Sequence, residues 1–288
     1  MKSQRTRRRP RPSPEQVAAQ YGPPIAPVIV SRVPVFAPTE RRTRAERVWH
    51  GETPWGSVTV TGCLTQLHRH LLDCAVATAL EATPTEEGGV TLIVDPHEMM
   101  TWRGSTSWDY RWLEALLEDL RRASVRISDR ADGFPVQVTG IVTRYGRYDR
   151  QRRLARGRIS HRDDGRRDML AITISGAWWR MWADRPTAHY AAHLRTIAAL
   201  SPIGQAIARL CLGQRDGWCI GMDRALQSVG AWSDAMGATP HKARQRARRA
   251  LTEDAGQLAG MGIVLDLTRR TIAFRRPPDV WISIPPNV

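Results

Sequence analysis

The stretch Thr239 to Gly262, TPHKARQRARRALTEDAGQLAGMG, joins a clean helical period to a one-sided concentration of positive charge. Thr239 before Pro240 offers an N-cap followed by proline at the first helical position. Ala243, Ala247, Ala250, Leu251, Leu258 and Met261 then recur at three- and four-residue steps, which predicts one helix with a single apolar stripe. Lys242, Arg246 and Arg249 fall together on the opposite face, flanked by His241, Arg244 and Arg248, and no carboxylate appears before Glu253. A basic N-terminal half runs against the helix dipole, which favours anions there. A phosphate backbone lying against it would reverse the penalty.

Working outward, Gly262 ends the helix and Ile263, Leu265 and Leu267 alternate with polar or smaller residues at strand period. Arg269 and Arg270 precede a second short run, Thr271 to Phe274, so a hairpin with two arginines at its tip is expected. Upstream, Met222 to Gly230 reads as a short helix separated from the basic one by the turn-rich AWSDAMGA. Helix, turn, basic helix, hairpin is the order of a winged helix, in which the basic helix enters the major groove and the hairpin follows the backbone. The bland alternative is a surface helix whose cations are merely solvated. The paired arginines of the hairpin favour DNA.

Forty-three Lys and Arg against twenty-eight Asp and Glu give a net charge of +15 and a sequence pI near 11.0 over 288 residues. Such a field attracts polyanions without choosing among them. The length and a 42% hydrophobic content suit two small cores. No apolar run approaches the ~20 residues of a membrane helix, and no signal peptide is apparent, so a cytoplasmic protein without membrane partners is expected. Cys63, Cys74, Cys211 and Cys219 are scattered in apolar-looking settings and read as reduced core thiols.

Residues 1–52 carry eight of the nineteen prolines and a series of arginines, which predicts a disordered basic tail. It would serve either as a solubilising leader or as an arm on DNA. A first domain, 53–185, opens with a helix whose apolar face is Leu64, Leu67, Leu71, Leu72, Val76, Ala79 and Leu80. A strand at Val90–Val94, a brief helix at His97–Trp102 and a helix from about Thr106 to Ala123 follow. On this last helix Arg111, Arg121 and Arg122 are offset by Asp109, Glu114, Glu118 and Asp119, which makes it a poor phosphate binder. Strands at Val136–Tyr148 and Met169–Ser175 are joined through the segment Gly146–Asp168, which holds nine arginines, among them Arg152, Arg153 and Arg156, placed to track a DNA backbone. Trp178, Trp179 and Trp182 in the helix Gly176–Asp184 read as packing rather than base stacking.

In a second domain, 186–288, Ser201 and Pro202 cap a helix facing inward with Ile203, Ile207, Leu210 and Cys211, and Trp218–Ile220 forms a short strand. The order of elements repeats that of the first half. The expected fold is therefore α+β, two tandem winged-helix domains, with Lys242, Arg244, Arg246, Arg248, Arg249, Arg269 and Arg270 as the main DNA contacts.

ALSPIGQAIARL, KARQRARRAL and QLAGMGIVLDL, in that order and spacing across Leu200 to Pro277, resemble the plasmid replication initiators of the TrfA and RepC kind. A weaker likeness extends back to about Leu64. The resemblance implies two winged-helix domains, binding to directly repeated double-stranded origin DNA (iterons), opening of the origin and recruitment of host replication initiation proteins. It also implies an inactive form that dimerises through the first domain. A winged-helix transcriptional regulator is the alternative.

Enzyme chemistry is not expected. His68 and His70 resemble the paired histidines of rolling-circle nicking enzymes, but Arg69 lies between them within a helical period, where residues two apart face apart. Cys63, His68, His70 and Cys74 fit no common zinc spacing. His189 and His193 would share a helical face yet lack the glutamate of HExxH, and there is no GxxxxGK[ST] phosphate loop. No metal or other cofactor is anticipated, so duplex opening would draw on binding and DNA deformation.

Overall fold

The computed structural model describes residues 14–39, 48–102, 110–130, 135–148, 154–155, 168–231 and 240–284. In chain order these form α1 (Pro14–Tyr21), β1 (Ala26–Pro27), α2 (Val28–Arg32), β2 (Val48–Thr53), β3 (Gly56–Thr61), α3 (Gln66–Ala77), β4 (Ala79–Pro84) and β5 (Val90–Val94). Next come α4 (Pro96–Trp102), α5 (Tyr110–Arg122), β6 (Ser124–Asp129), β7 (Pro135–Thr139), β8 (Val142–Tyr148), β9 (Leu154–Ala155), β10 (Met169–Ile174), α6 (Gly176–Asp184) and β11 (Thr187–His189). A 3-10 turn leads to α7 (Leu194–Ala199), α8 (Pro202–Leu212), β12 (Trp218–Gly221), α9 (Met222–Ser228), α10 (Pro240–Glu253), α11 (Ala255–Gly260), β13 (Ile263–Asp266), β14 (Thr271–Phe274) and β15 (Trp281–Ser283). Among the described residues this is a mixed helix and sheet protein with four sheets, every strand pair within them antiparallel.

Two of those sheets share a connection pattern. In the C-terminal half α8 leads to β12, then to α9 and α10, then to β13 and β14, and the strands lie in the order β12-β14-β13. In the N-terminal half α3 is followed by β5, α4, α5, β8 and β10, which lie in the order β5-β10-β8. The first half carries two larger additions, besides the short β9 at the sheet edge next to β8. β4 extends its sheet next to β5, and the hairpin of β6 and β7, inserted between α5 and β8, joins β2 and β3 in a separate four-stranded sheet.

The first addition shortens the helix expected over Leu64–Leu80. It ends at Ala77, where the Thr78 backbone N–H and hydroxyl both donate to the Cys74 carbonyl at 2.9 and 2.8 Å. Ala79 and Leu80 belong to β4, and Leu80 is 58% exposed. The second addition splits the strand expected over Val136–Tyr148 between two sheets. The break lies at Gly140, whose φ of +73° favours glycine and whose N–H donates to the Ala123 carbonyl at 2.8 Å.

The disordered tail expected over 1–52 is overturned for residues 14–39 and 48–52. Val28, Val30, Val33, Val35 and Phe36 are buried, and β1 pairs with β11 while β2 pairs with β3. The apolar run from Ile25 to Phe36 supplies enough burial to offset ordering, and its prolines sit at element ends rather than breaking a core. The buried residues of both halves form one contiguous cluster, so packing continues across the boundary expected at residues 185 and 186. All four cysteines are free. Cys74 and Cys211 are buried, burial pushing the Cys211 thiol well up, whereas Cys219 is exposed rather than in a core.

Candidate nucleic-acid interface

α10 docks through small residues. Ala243, Ala247 and Leu251 are buried, joined by Leu258 and Met261 beyond the helix, so the predicted apolar stripe faces the core. Packing alanines against α8 and α9 brings the α10 backbone close to both, and the wide opposite face is left to solvent. His241, Lys242, Arg244, Arg246 and Arg249 are all exposed there.

The helix does not run unbroken to Gly262 as expected. Asp254 separates α10 from α11 and turns its carboxylate inward, where it accepts from the Ser201 backbone N–H at 3.2 Å and from the Ser201 hydroxyl. Ser201 in turn caps α8 by accepting from the Gly204 N–H at 3.1 Å. A Cβ on Gly204 would run into Asp254 Oδ2, so glycine allows this close approach. The end of the basic helix is thereby fastened to the start of α8.

The cations of α10 and the hairpin are not equivalent. Arg248 Nε and Nη2 donate to Asp223 of α9 at 3.0 and 2.6 Å, a two-pronged pair that ties α9 to α10 and leaves the Arg248 side chain only 33% exposed. Arg249 reaches along its own helix to Glu253 at 2.8 Å, with both side chains exposed. Lys242 and Arg246 form no ion pair among the described residues. At the hairpin tip the Arg269 N–H donates to Asp266 Oδ1 at 2.8 Å, while its guanidinium is 3.8 Å from the same carboxylate. Arg270 takes φ +52° and its carbonyl accepts from the Met222 N–H at 2.7 Å. This bond holds the hairpin tip against the first turn of α9 and leaves both arginine side chains exposed.

The base of the hairpin is equally constrained. Gly262 has φ +74°, and its carbonyl accepts from the Arg275 N–H at 2.8 Å. A Cβ at this position would strike the Arg275 carbonyl oxygen, so glycine satisfies both the dihedral and the contact.

The first half presents a different charge pattern. On α5, Glu118 accepts from Arg121 and Arg122 at 2.7 and 2.6 Å and from the Tyr145 hydroxyl at 3.3 Å. The Arg121 hydrogen bond leads the shift that holds the Glu118 carboxyl down at about 2, with Arg122 adding to it against the cost of burial. Asp119 lies 3.1 Å from His68 Nε2. The near-neutral balance read from the sequence is thus built into local pairs. Arg152, Arg153 and Arg156 lie outside the described residues. On either side of them in sequence, Arg147 and the buried Asp168 form an ion pair of 2.6 Å.

Other sequence candidates resolve into packing. His68 accepts from the Thr65 N–H at 3.0 Å, completing the α3 cap, whereas His70 lies 3.3 Å from Cys74 Sγ and 3.1 Å from Arg209 Nη2. The two rings serve separate sites. His189 is in a strand and His193 in a 3-10 turn, which overturns the shared helical face expected for them. Trp179 stacks on Trp182 with centroids 5.1 Å apart, and Trp178 meets Phe36 edge-on at 6.3 Å.

A buried ionic junction was missed from the sequence. Asp73 of α3 accepts from Arg69 Nε at 2.8 Å and from Arg209 Nε of α8 at 2.7 Å, and the Tyr190 hydroxyl adds a third bond at 3.2 Å. Arg69, Asp73 and Arg209 are each almost wholly buried. The spacing Arg69 to Asp73 is that of a helical ion pair and could have been noticed inside so apolar a segment. Nothing local marks Arg209 as its partner.

No known family profile matches the chain, and no curated protein matches it in sequence. Two solved structures are similar in fold over most of its length. The crystal structure of a selenomethionine derivative of domains 2 and 3 of RctB is 8% identical with a TM-score of 0.49, covering 90% of this chain and 99% of that one. A second crystal structure of RctB domains 2–3 is 7% identical with a TM-score of 0.44, covering 90% of this chain and 97% of that one.

Proposed function

We propose that this chain is a replication initiator of the TrfA and RepC kind, in which two winged-helix units bind double-stranded, directly repeated plasmid origin DNA. The observation that carries the reading is α10, whose apolar face is docked in the core while His241, Lys242, Arg244, Arg246 and Arg249 remain outward beside a fixed hairpin bearing Arg269 and Arg270. A rigid cationic helix of this width suits a major groove, and a hairpin beside it suits the phosphate backbone. The shared order β5-β10-β8 and β12-β14-β13 supports two units of one kind, which suits an initiator spanning a long repeat better than a single-site regulator.

In this reading Lys242, Arg246 and Arg249 face base edges, Arg244, Arg269 and Arg270 hold phosphates, and Arg248 positions α10 through Asp223. The first unit supplies a protein interface, for a second copy in the inactive form and for host initiation proteins. No enzymatic step and no cofactor are involved. Opening the duplex uses binding energy to deform DNA.

Footprinting of the purified protein on plasmid origin DNA tests this. Protected blocks recurring at helical-turn spacing are expected. A single isolated palindrome would point to a transcriptional regulator, and protection without sequence preference would remove the reading role of α10.

A further inference from the structure

The junction between the two halves carries more positive than negative charge. Arg69 and Arg209 each bond Asp73, and Asp73 is the one carboxylate that either guanidinium contacts among the described residues. Tyr190 does not supply the missing negative charge. Its burial, and then the neighbouring Asp73, push the phenol up to about 12, so it remains protonated. His70 presents Nδ1 to Arg209 Nη2 at 3.1 Å, and an imidazole there supplies no negative charge either. Two buried cations thus face one buried anion. An uncompensated buried charge is strongly unfavourable.

Hydrogen-bonding capacity is left over at the same place. Arg69 uses Nε on Asp73 and Nη2 on Ser31 and Tyr190, both at 3.3 Å, while its Nη1 has no hydrogen-bond partner among the described residues. The guanidinium lies over the Phe36 ring, 5.6 Å from the centroid. A partly open cleft with room of about 20 Å³ is lined by Arg69 and Arg209 together with Gln66, Ser31, Phe36 and Ala206. One water needs roughly 10–15 Å³, so a small solute can enter the cleft. Gln66 is already committed, donating to the Phe36 carbonyl at 2.9 Å and accepting from Arg209 at 3.2 Å.

We propose that this cleft binds one small monovalent anion, which balances the charge of the Arg69, Asp73 and Arg209 cluster and strengthens the contact between the two halves. Arg69 Nη1 donates to it, the Ser31 hydroxyl turns its proton towards it, and Phe36 and Ala206 form part of the wall. A water would meet the hydrogen bonds but leave the charge. The site stands apart from the DNA-reading face and does not depend on the proposed function.

Two measurements on the full chain test it. In crystals soaked with bromide, an anomalous peak is expected in the cleft within hydrogen-bonding reach of Arg69. In thermal melts at constant ionic strength, replacing gluconate by chloride should raise the Tm saturably for the native protein and not for Arg69→Gln, whose cluster is already neutral. A cleft without a bromide peak overturns the proposal, as does a chloride response equal in the two proteins. If Arg69→Gln does not fold, the bromide peak alone decides.

Discussion

Replacing Arg246 by Ala should separate sequence reading from electrostatic attraction more cleanly than any other change on α10. Arg246 is exposed and forms no ion pair among the described residues, so removing it breaks nothing in the fold. A good bidentate contact to a guanine edge is worth ~1–3 kcal/mol of discrimination. The expected loss on a specific duplex is thus roughly fivefold to 150-fold, with a much smaller loss on a scrambled one. Arg249 must first release Glu253, an exposed pair with an N–O distance of 2.8 Å. That release costs ~0.3–0.5 kcal/mol, so Arg249→Ala should fall slightly short of Arg246→Ala. Arg269→Ala and Arg270→Ala should weaken both duplexes alike and flatten the salt slope by about one unit per lost phosphate contact. The assay is a salt titration of binding to both duplexes. Equal losses on the two duplexes for Arg246→Ala and Arg249→Ala would show that α10 is only a cationic surface.

Three further outcomes concern the scaffold. Asp73→Asn leaves two buried guanidiniums without their carboxylate and should cost about 3–5 kcal/mol in urea denaturation, far more than a surface ion-pair loss; a change under ~1 kcal/mol would mean the junction is well hydrated. Gly262→Ala forces a Cβ into the Arg275 carbonyl at φ +74° and should cost about 1–3 kcal/mol, measured by the shift in Tm, while Gly256→Ala, with open space around it, should not destabilise. Glu118 has its carboxyl lowered from 4.5 to about 2, chiefly by the Arg121 hydrogen bond, so its contribution is complete above pH 4.5 and disappears as pH falls towards 2. Since its arginine partners are solvent-exposed, the effect should be about 1 kcal/mol, seen as a shallower loss of stability for Glu118→Gln than for the native protein across that window.

What the sequence disclosed follows from the range of the forces involved. The apolar period of Ala243, Ala247 and Leu251 and the alternation of Ile272 and Phe274 are local, and these residues are buried as their spacing implies. Gly176–Asp184 begins where Ser175 can cap it, again a local signal. The break at Asp254 depends on Ser201, 53 positions away, and no window centred on the helix contains that partner. The fold of residues 14–39 was hidden by composition. Proline and arginine counts suggested disorder, while the apolar run within them pairs with a strand some 160 residues later through Ala26 and Ala188. The bond from Arg209 to Asp73 spans 136 positions and joins residue types that ordinarily sit at the surface.

α8 links these long-range features mechanically. Arg209, in its third turn, is fixed to Asp73 of α3, and Ser201, at its start, holds Asp254 at the end of α10. Every residue from Ile203 to Leu212 is buried, so α8 cannot shift without disturbing contacts along its whole length. The position of the basic helix relative to α3 is therefore transmitted through one rigid rod with a polar fastening at each end. Under the proposed function, this arrangement sets the spacing between the DNA-reading face and the first unit. A change that loosens either fastening, such as Arg209→Met or Ser201→Ala, should alter tolerance for inserted base pairs between origin contacts before it alters affinity for a single site. Footprints on origins with one to five inserted base pairs provide the comparison. Unchanged spacing tolerance in both variants, with the fold intact by circular dichroism, would show that α8 does not transmit position.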